Sequence, residues 1–346
     1  MLRLSLYIAA ILLAFFGYST FFDGKEVMYD GPKIKGVCFV APHDTMQHTE
    51  YDPIKQINAE WVAITPYGFC RQNEPKFHYP KTNQTEPNRW QWWGEKPDGA
   101  AECIRMAHQK GLKVMLKPHV WVRDMYTGDL DYGSDENWAK FEKDYREYVL
   151  DFARVADSTN AEIYCIATEF HTFVAKRPQF WKQLIKEVKQ IYKGKLTYAE
   201  NWDKYQDAHF WDEMDFVGID AYFPLSEKQS PTLDEIKKGW KNHLKDIEKY
   251  SRKAQKPVLF TEIGYQSTDF TTHKPWESYS KHPDNEKLQV DAYQAFFDMV
   301  WQQKWFAGAF VWKWFPFMDK DDIARDKYSP QNKPAQGVLR DNFGKK

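Results

Sequence analysis

Residues 256–265 read Lys256-Pro-Val-Leu-Phe-Thr-Glu-Ile-Gly-Tyr265. Pro257 suits the first residue of a strand, where no ladder N–H is required. Val258, Leu259 and Phe260 form the apolar run expected of a strand buried on both faces. The run then meets Glu262 and Gly264. A carboxylate at the end of a buried strand is costly unless that end opens into a site. In parallel α/β barrels, sites lie at the carboxyl ends of the strands. A second stretch has the same form, Ala161-Glu-Ile-Tyr-Cys-Ile-Ala-Thr-Glu-Phe170, and ends at Glu169.

Working outward, further strand-like runs occupy residues 33–40, 59–67, 112–120, 195–202, 215–223 and 306–315. Helix signals fill the intervals. Residues 98–110 stop before Gly111, a C-terminal stop signal. Residues 134–156 place Trp138, Phe141, Tyr145, Tyr148, Phe152 and Val155 three and four apart, which makes one buried face. Residues 178–192 begin with Pro178 and stop before Gly194. Thr232-Leu-Asp-Glu235 is a capping box opening a helix towards Ala254. Residues 284–303 align Leu288, Ala292, Phe296 and Val300. Strand–helix alternation repeated eight times without a break predicts an α/β fold, the (β/α)8 TIM barrel. A doubly wound open sheet would favour a glycine-rich turn after the first strand. Here that turn is Ala41-Pro-His-Asp-Thr45. The expected organisation is one barrel over residues 33–346, preceded by a linker at 24–32.

Residues 4–22 are almost wholly apolar and follow Arg3. This reads as an export signal, either cleaved near Ser19 or retained as a membrane anchor. The expected location of the remainder is therefore periplasmic, cell-surface or secreted. The formal net charge of −1 gives no reason to expect a nucleic-acid partner. Cys38 and Cys165 fall inside strands as small buried hydrophobes. Cys70 and Cys103 fall near one barrel end, where a bridge could join them. No spacing resembles a metal site, and no cofactor is expected. Aromatics make up 17% of the chain, with 15 Trp and 20 Tyr, and such rings suit the apolar faces of sugars. Residues 69–97 read as one long irregular loop carrying Tyr79, Trp90, Trp92 and Trp93. A loop of that length is usually functional, and this one should wall one side of the site. Residues 270–283 and 316–334 should leave the same face.

Two carboxyl groups at strand ends fit glycoside hydrolysis. That reaction needs one protonated acid and one ionised partner, about 5–5.5 Å apart in a retaining enzyme. The motifs Trp61-Val-Ala-Ile-Thr-Pro66, Lys117-Pro-His-Val120, Ala167-Thr-Glu169, Val217-Gly-Ile-Asp-Ala-Tyr-Phe223, Phe260-Thr-Glu-Ile-Gly-Tyr265 and Phe310-Val-Trp-Lys-Trp314 resemble clan A of the glycoside hydrolases. Within that clan the chain is similar to family 113, known for β-mannanases. The tail Pro330-Gln-Asn-Lys-Pro-Ala335 is also similar, and the resemblance spans about residues 33–340. It implies that Glu169 is the acid/base and Glu262 the nucleophile. It further implies that Trp312 is a platform beneath the sugar at the cleavage point. Most clan members carry Asn just before the acid/base, whereas this chain has Thr168.

Around that pair, Tyr222 is expected with its hydroxyl near Glu262. His119 and Lys117 are candidates for sugar hydroxyls, or else for structural pairing. Asn201, Trp202 and Asp220 are weaker candidates, because alternate strand residues point away from the lumen. Among Trp90, Trp92 and Trp93, at least one is expected to form a remote sugar subsite. The expected function is a retaining β-glycosidase acting on a β-linked glycan, foremost β-1,4-mannan. The rivals are a glycosidase for another β-glycan and a carbohydrate-binding barrel without catalysis.

Overall fold

The computed structural model describes residues 24–81, 92–277, 281–317 and 325–345. The apolar leader and Trp90 lie outside the described residues. Eight parallel strands close a barrel: β1 (Ile34–Val40), β2 (Trp61–Thr65), β5 (Lys113–Leu116), β7 (Ile163–Thr168), β8 (Lys195–Asn201), β9 (Val217–Asp220), β10 (Val258–Ile263) and β11 (Phe306–Trp314). The ring runs β1-β11-β10-β9-β8-β7-β5-β2. These are the eight runs read from the sequence, in the same order. Cys38, Ala63, Met115, Cys165, Leu259 and Phe310 fill the lumen as one buried cluster. Such layers make the barrel a packed core and leave its carboxyl-end mouth as the place for chemistry.

Five of the eight described helices follow their sequence signals closely. The eight are α1 (Asp52–Gln56), α2 (Pro97–Gln109), α3 (Asp135–Ser158), α4 (His171–Lys176), α5 (Pro178–Ile191), α6 (Leu233–Ala254), α7 (Glu286–Met299) and α8 (Pro334–Phe343). Ser134 caps α3 by accepting from the Asn137 N–H at 3.3 Å. The Thr232/Glu235 capping box opens α6, with Glu235 accepting from the Thr232 N–H at 2.9 Å. Both satisfy helix-start donors that would otherwise be unpaired. Among the described residues no helix is long and apolar enough to cross a membrane.

Two sequence expectations are corrected. Residues 69–97 are not one irregular loop. They begin with the end of β3 (Tyr67–Arg71), which turns back into β4 (Glu74–His78). The single run expected over 112–120 breaks at Pro118, and its second half becomes β6 (His119–Arg123). A three-stranded sheet results, in the order β4-β3-β6. Its origin is physical. Pro66 and Pro118 lack an N–H and fix φ, so barrel strands β2 and β5 cannot continue their ladders straight. Both chains bend outward and stay paired, with the His119 N–H donating to the Pro66 carbonyl at 2.8 Å. The hidden face rests on α3, where Phe77 packs among Phe141, Tyr145 and Tyr148. Nor do Cys70 and Cys103 pair, since all four cysteines are free and buried. Cys70 lies on the hidden side of this small sheet, and burial pushes its thiol up to about 12. Cys103 lies on α2, where its carbonyl accepts from the Tyr51 hydroxyl at 3.0 Å.

Closure depends on one glycine. Gly308 has φ +139°, and a Cβ there would sit 2.3 Å from the Ile34 carbonyl oxygen and 2.4 Å from its nitrogen. Gly308→Ala therefore meets backbone on both counts and should cost at least about 2 kcal/mol. Denaturant unfolding checks this, and an unchanged midpoint would contradict the β1–β11 register.

Candidate active site

Strand alternation places Leu259 in the lumen and Phe260 outside it. Straight continuation would point Glu262 outward. Instead the β10–β9 register shifts between Phe260 and Glu262. A bulge of this kind re-aims a side chain, and here it turns Glu262 into the mouth, level with Asp220. Gly264 lets the strand end lie against β11, because a Cβ there would be 3.0 Å from the Trp312 carbonyl oxygen. A second register shift lies between Cys165 and Thr168 on β7. It ends at Glu169, whose φ of +53° is unusual for a residue with a side chain. The Glu169 N–H donates to the Ala199 carbonyl at 2.7 Å, which holds that conformation.

Glu262 stands at the centre of the contacts. The Tyr222 hydroxyl donates to its Oε2 at 2.7 Å. The Lys117 ammonium donates to its Oε1. The same ammonium reaches Asp220 Oδ1 at 3.0 Å and Oδ2 at 3.1 Å. Thr261 donates to Asp220 Oδ1 at 2.8 Å. Lys117 is fully buried, and Asp220 is 1% exposed. One cation thus serves two carboxylates in a site shielded from water. Burial would lower Lys117, but Asp220 and Glu262 more than offset it and hold the ammonium charged. Burial and the neighbouring Glu262 push Asp220 up. His119 Nε2 lies 3.3 Å from Glu262 Oε1 without an aligned hydrogen bond. Burial and then Lys117 hold the imidazole well below its usual range, so it is neutral. The His119 ring stacks on Trp312 at 5.6 Å and 20°.

Glu169 differs from Glu262. Burial pushes its carboxyl well above the usual range, and Asp220 and Glu262 add to the effect, with Lys117 opposing. A carboxyl that stays protonated near neutrality can give a proton away there. The arrangement therefore offers a proton donor beside a carboxylate already paired with a cation and a hydroxyl.

The structure brings Lys117, His119, Tyr222, Glu262 and Trp312 together, and couples Glu169 to them electrostatically. Lys117, a candidate for sugar hydroxyls or for structural pairing, takes the pairing role, its ammonium bonded to the two carboxylates. Asn201 is level with Asp220 in the β8–β9 register. Its Oδ1 accepts from the Trp202 N–H at 2.9 Å, and its amide donates to Asp203 at 3.1 Å, so the side chain serves its own turn. Thr168 donates to the Pro118 carbonyl at 3.4 Å. Trp92 is 38% exposed and edge-on to His43 at 5.8 Å, whereas Trp93 packs on the core. Trp202 stacks on Trp276 at 5.5 Å, and Trp276 is exposed. Sequence reasoning missed Glu200 and Tyr126. Glu200 is fully buried and bonded to the Tyr198 hydroxyl at 2.8 Å, and burial pushes it up to about 7. Tyr126 is raised by burial and next by the charge of Glu169. Glu200 is the penultimate residue of β8, as Glu262 is of β10, so the same strand-end signal marks it, whereas Tyr126 carries none.

Among the described residues no cluster of His, Cys, Asp and Glu could hold a metal ion. A model of Glycoside Hydrolase Family 113 matches residues 47–333. A GH113 β-mannanase from Alicyclobacillus acidocaldarius, solved in complex with ManMIm, superposes with a TM-score of 0.77 at 24% identity. That match covers 91% of this chain and 98% of the other. A GH113 β-1,4-mannanase complex gives 0.76 at 22%, covering 91% and 100%. A β-glucuronidase from Faecalibacterium prausnitzii gives 0.61 at 16%, covering 92% of this chain and 50% of that one. No curated protein matches the chain.

The raised carboxyl of Glu169 has a consequence for stability. Its folded pKa exceeds the unfolded value, so the folded state holds an extra proton between the two, and stability falls as pH rises through that window. Glu169→Gln removes this penalty. The variant should melt higher than the parent at about pH 7 and equally at about pH 4, where both groups are neutral. Thermal melts at the two pH values check this, and an equal or lower melting point at pH 7 would contradict the shift.

Proposed function

We propose that this chain, which belongs to glycoside hydrolase family 113 and is a glycoside hydrolase, cuts β-1,4-linked mannan with retention of configuration. The observation that carries the reading is the asymmetry of the two glutamates. Glu262 is held by a buried ammonium and a tyrosine hydroxyl, while burial and its anionic neighbours keep a proton on Glu169. In this reading Glu169 protonates the glycosidic oxygen as the bond breaks, and Glu262 attacks the anomeric carbon to form a glycosyl ester. Glu169, now ionised, takes a proton from the water that cleaves the ester. Tyr222 and Lys117 hold the nucleophile in place, and Trp312, steadied by His119, forms the platform for the sugar. The choice of mannan follows the similarity to solved GH113 β-mannanases. The export reading of residues 1–23 places the work outside the cytoplasm.

A panel of mannan, glucan and xylan polymers tests the substrate. The reading predicts oligosaccharide release foremost from mannan, and release from another polymer alone would reassign it. Glu262→Ala should bring turnover to background with the fold intact, and added azide should restore activity with an inverted product. Near-normal turnover by that variant would refute the nucleophile. Glu169→Gln should lower hydrolysis of mannan by about 10²–10⁴-fold while sparing an aryl mannoside with a good leaving group, which needs little protonation. Equal losses on both substrates would refute the acid.

A further inference from the structure

The small sheet carries a second surface beyond the reacting centre. Side chains alternate across a strand, so Tyr67, Phe69 and Arg71 share one face of β3, and His119, Trp121 and Arg123 share one face of β6. The register sets Tyr67 beside His119, Phe69 beside Trp121 and Arg71 beside Arg123. The opposite face, with Cys70, Phe77, Val120 and Val122, is buried. The open face begins inside the active site, because His119 touches Glu262 and Trp312. Two residues on, about 6.6 Å along the strand, Trp121 is 53% exposed. Around it lies a hollow of about 640 Å³, lined in part by Phe69, Arg71, His78 and Arg123. Phe69 and Trp121 sit side by side in this hollow, an apolar surface that suits a flat ligand face.

We propose that this face is a distal subsite for the same glycan chain, with Trp121 stacking on a sugar ring beyond those held at the reacting centre. The chemistry of the hollow specifies a neutral ring. Arg123 is paired with Asp124 at 3.3 Å, and Lys76 with Glu74 at 3.3 Å, so most of its positive charge is already met. An indole face covers the apolar C–H side of a pyranose, and Arg71 offers donors to its hydroxyls. The proline bends at Pro66 and Pro118 thus lift two barrel strands into a ramp leading out of the mouth. The subsite rests on the glycosidase reading for the identity of the chain, but its occupancy can be measured without turnover.

The test is affinity electrophoresis in gels containing soluble mannan, using Glu262→Ala so that the polymer is not cut, with and without Trp121→Ala. Retardation should weaken roughly three- to tenfold on adding Trp121→Ala and largely return with Trp121→Phe. Equal retardation with and without Trp121→Ala, or none in either, overturns the subsite. So does stronger retardation by a polyuronate, which would mean the hollow selects anions. In otherwise unmodified protein, Trp121→Ala should lower kcat/KM on long manno-oligosaccharides more than on short ones. The same loss at every length overturns the proposal. Retardation by mannan without any hydrolysis of it would instead overturn the proposed reaction and leave the subsite standing.

Discussion

A single buried ammonium organises this protein's mouth. Lys117 is removed from water and bonds both Asp220 and Glu262. Removing one partner from a buried ion pair typically costs 3–5 kcal/mol, because the remaining charge is left uncompensated. The three residues come from three different barrel strands or their ends, so their mutual need fixes the relative positions of those strands. Glu169 and the buried Glu200 bring the cluster to four carboxyl groups around one cation, so protonation of part of the cluster is the least costly balance. Burial, Asp220 and Glu262 raise the Glu169 carboxyl, whereas Glu262 and Asp220 share the ammonium. The different surroundings of two chemically identical side chains thus follow in part from where one lysine sits.

The fold was legible because it depends on periodicity. Buried parallel strands write continuous apolar runs, as in Val258–Leu259–Phe260, and α3 writes its buried face at spacings of three and four. Caps such as Ser134 and Thr232 are local chemistry and were found locally. Glu169 and Glu262 were visible as charges that a buried strand would not otherwise carry. The structure added the bulges that turn both residues inward. No residue type marks a bulge at Thr261, and strict alternation would have pointed Glu262 the wrong way.

Other features lay in long-range pairing, which local patterns do not encode. The β3–β4 hairpin is short, with a proline at its second strand's second position, and it gains its order from α3 and from β6. Tyr126 carries no motif and is marked only by what lies beside it. In sequence Lys117 is a candidate either for sugar hydroxyls or for structural pairing, and the choice stays open because its carboxylate partners lie 103 and 145 residues away. The second sheet carries the chain beyond Pro66 and Pro118, where β2 and β5 give way to β3 and β6.

The central claim is that Glu262 becomes covalently bonded to the sugar. An activated fluorinated β-mannoside, which forms the ester quickly and loses it slowly, tests this directly by mass spectrometry. The account predicts a mass increase of one sugar unit, with the label on the peptide containing Glu262 and a matching loss of activity. A label on Glu169, or no label together with an inverted product, would contradict it.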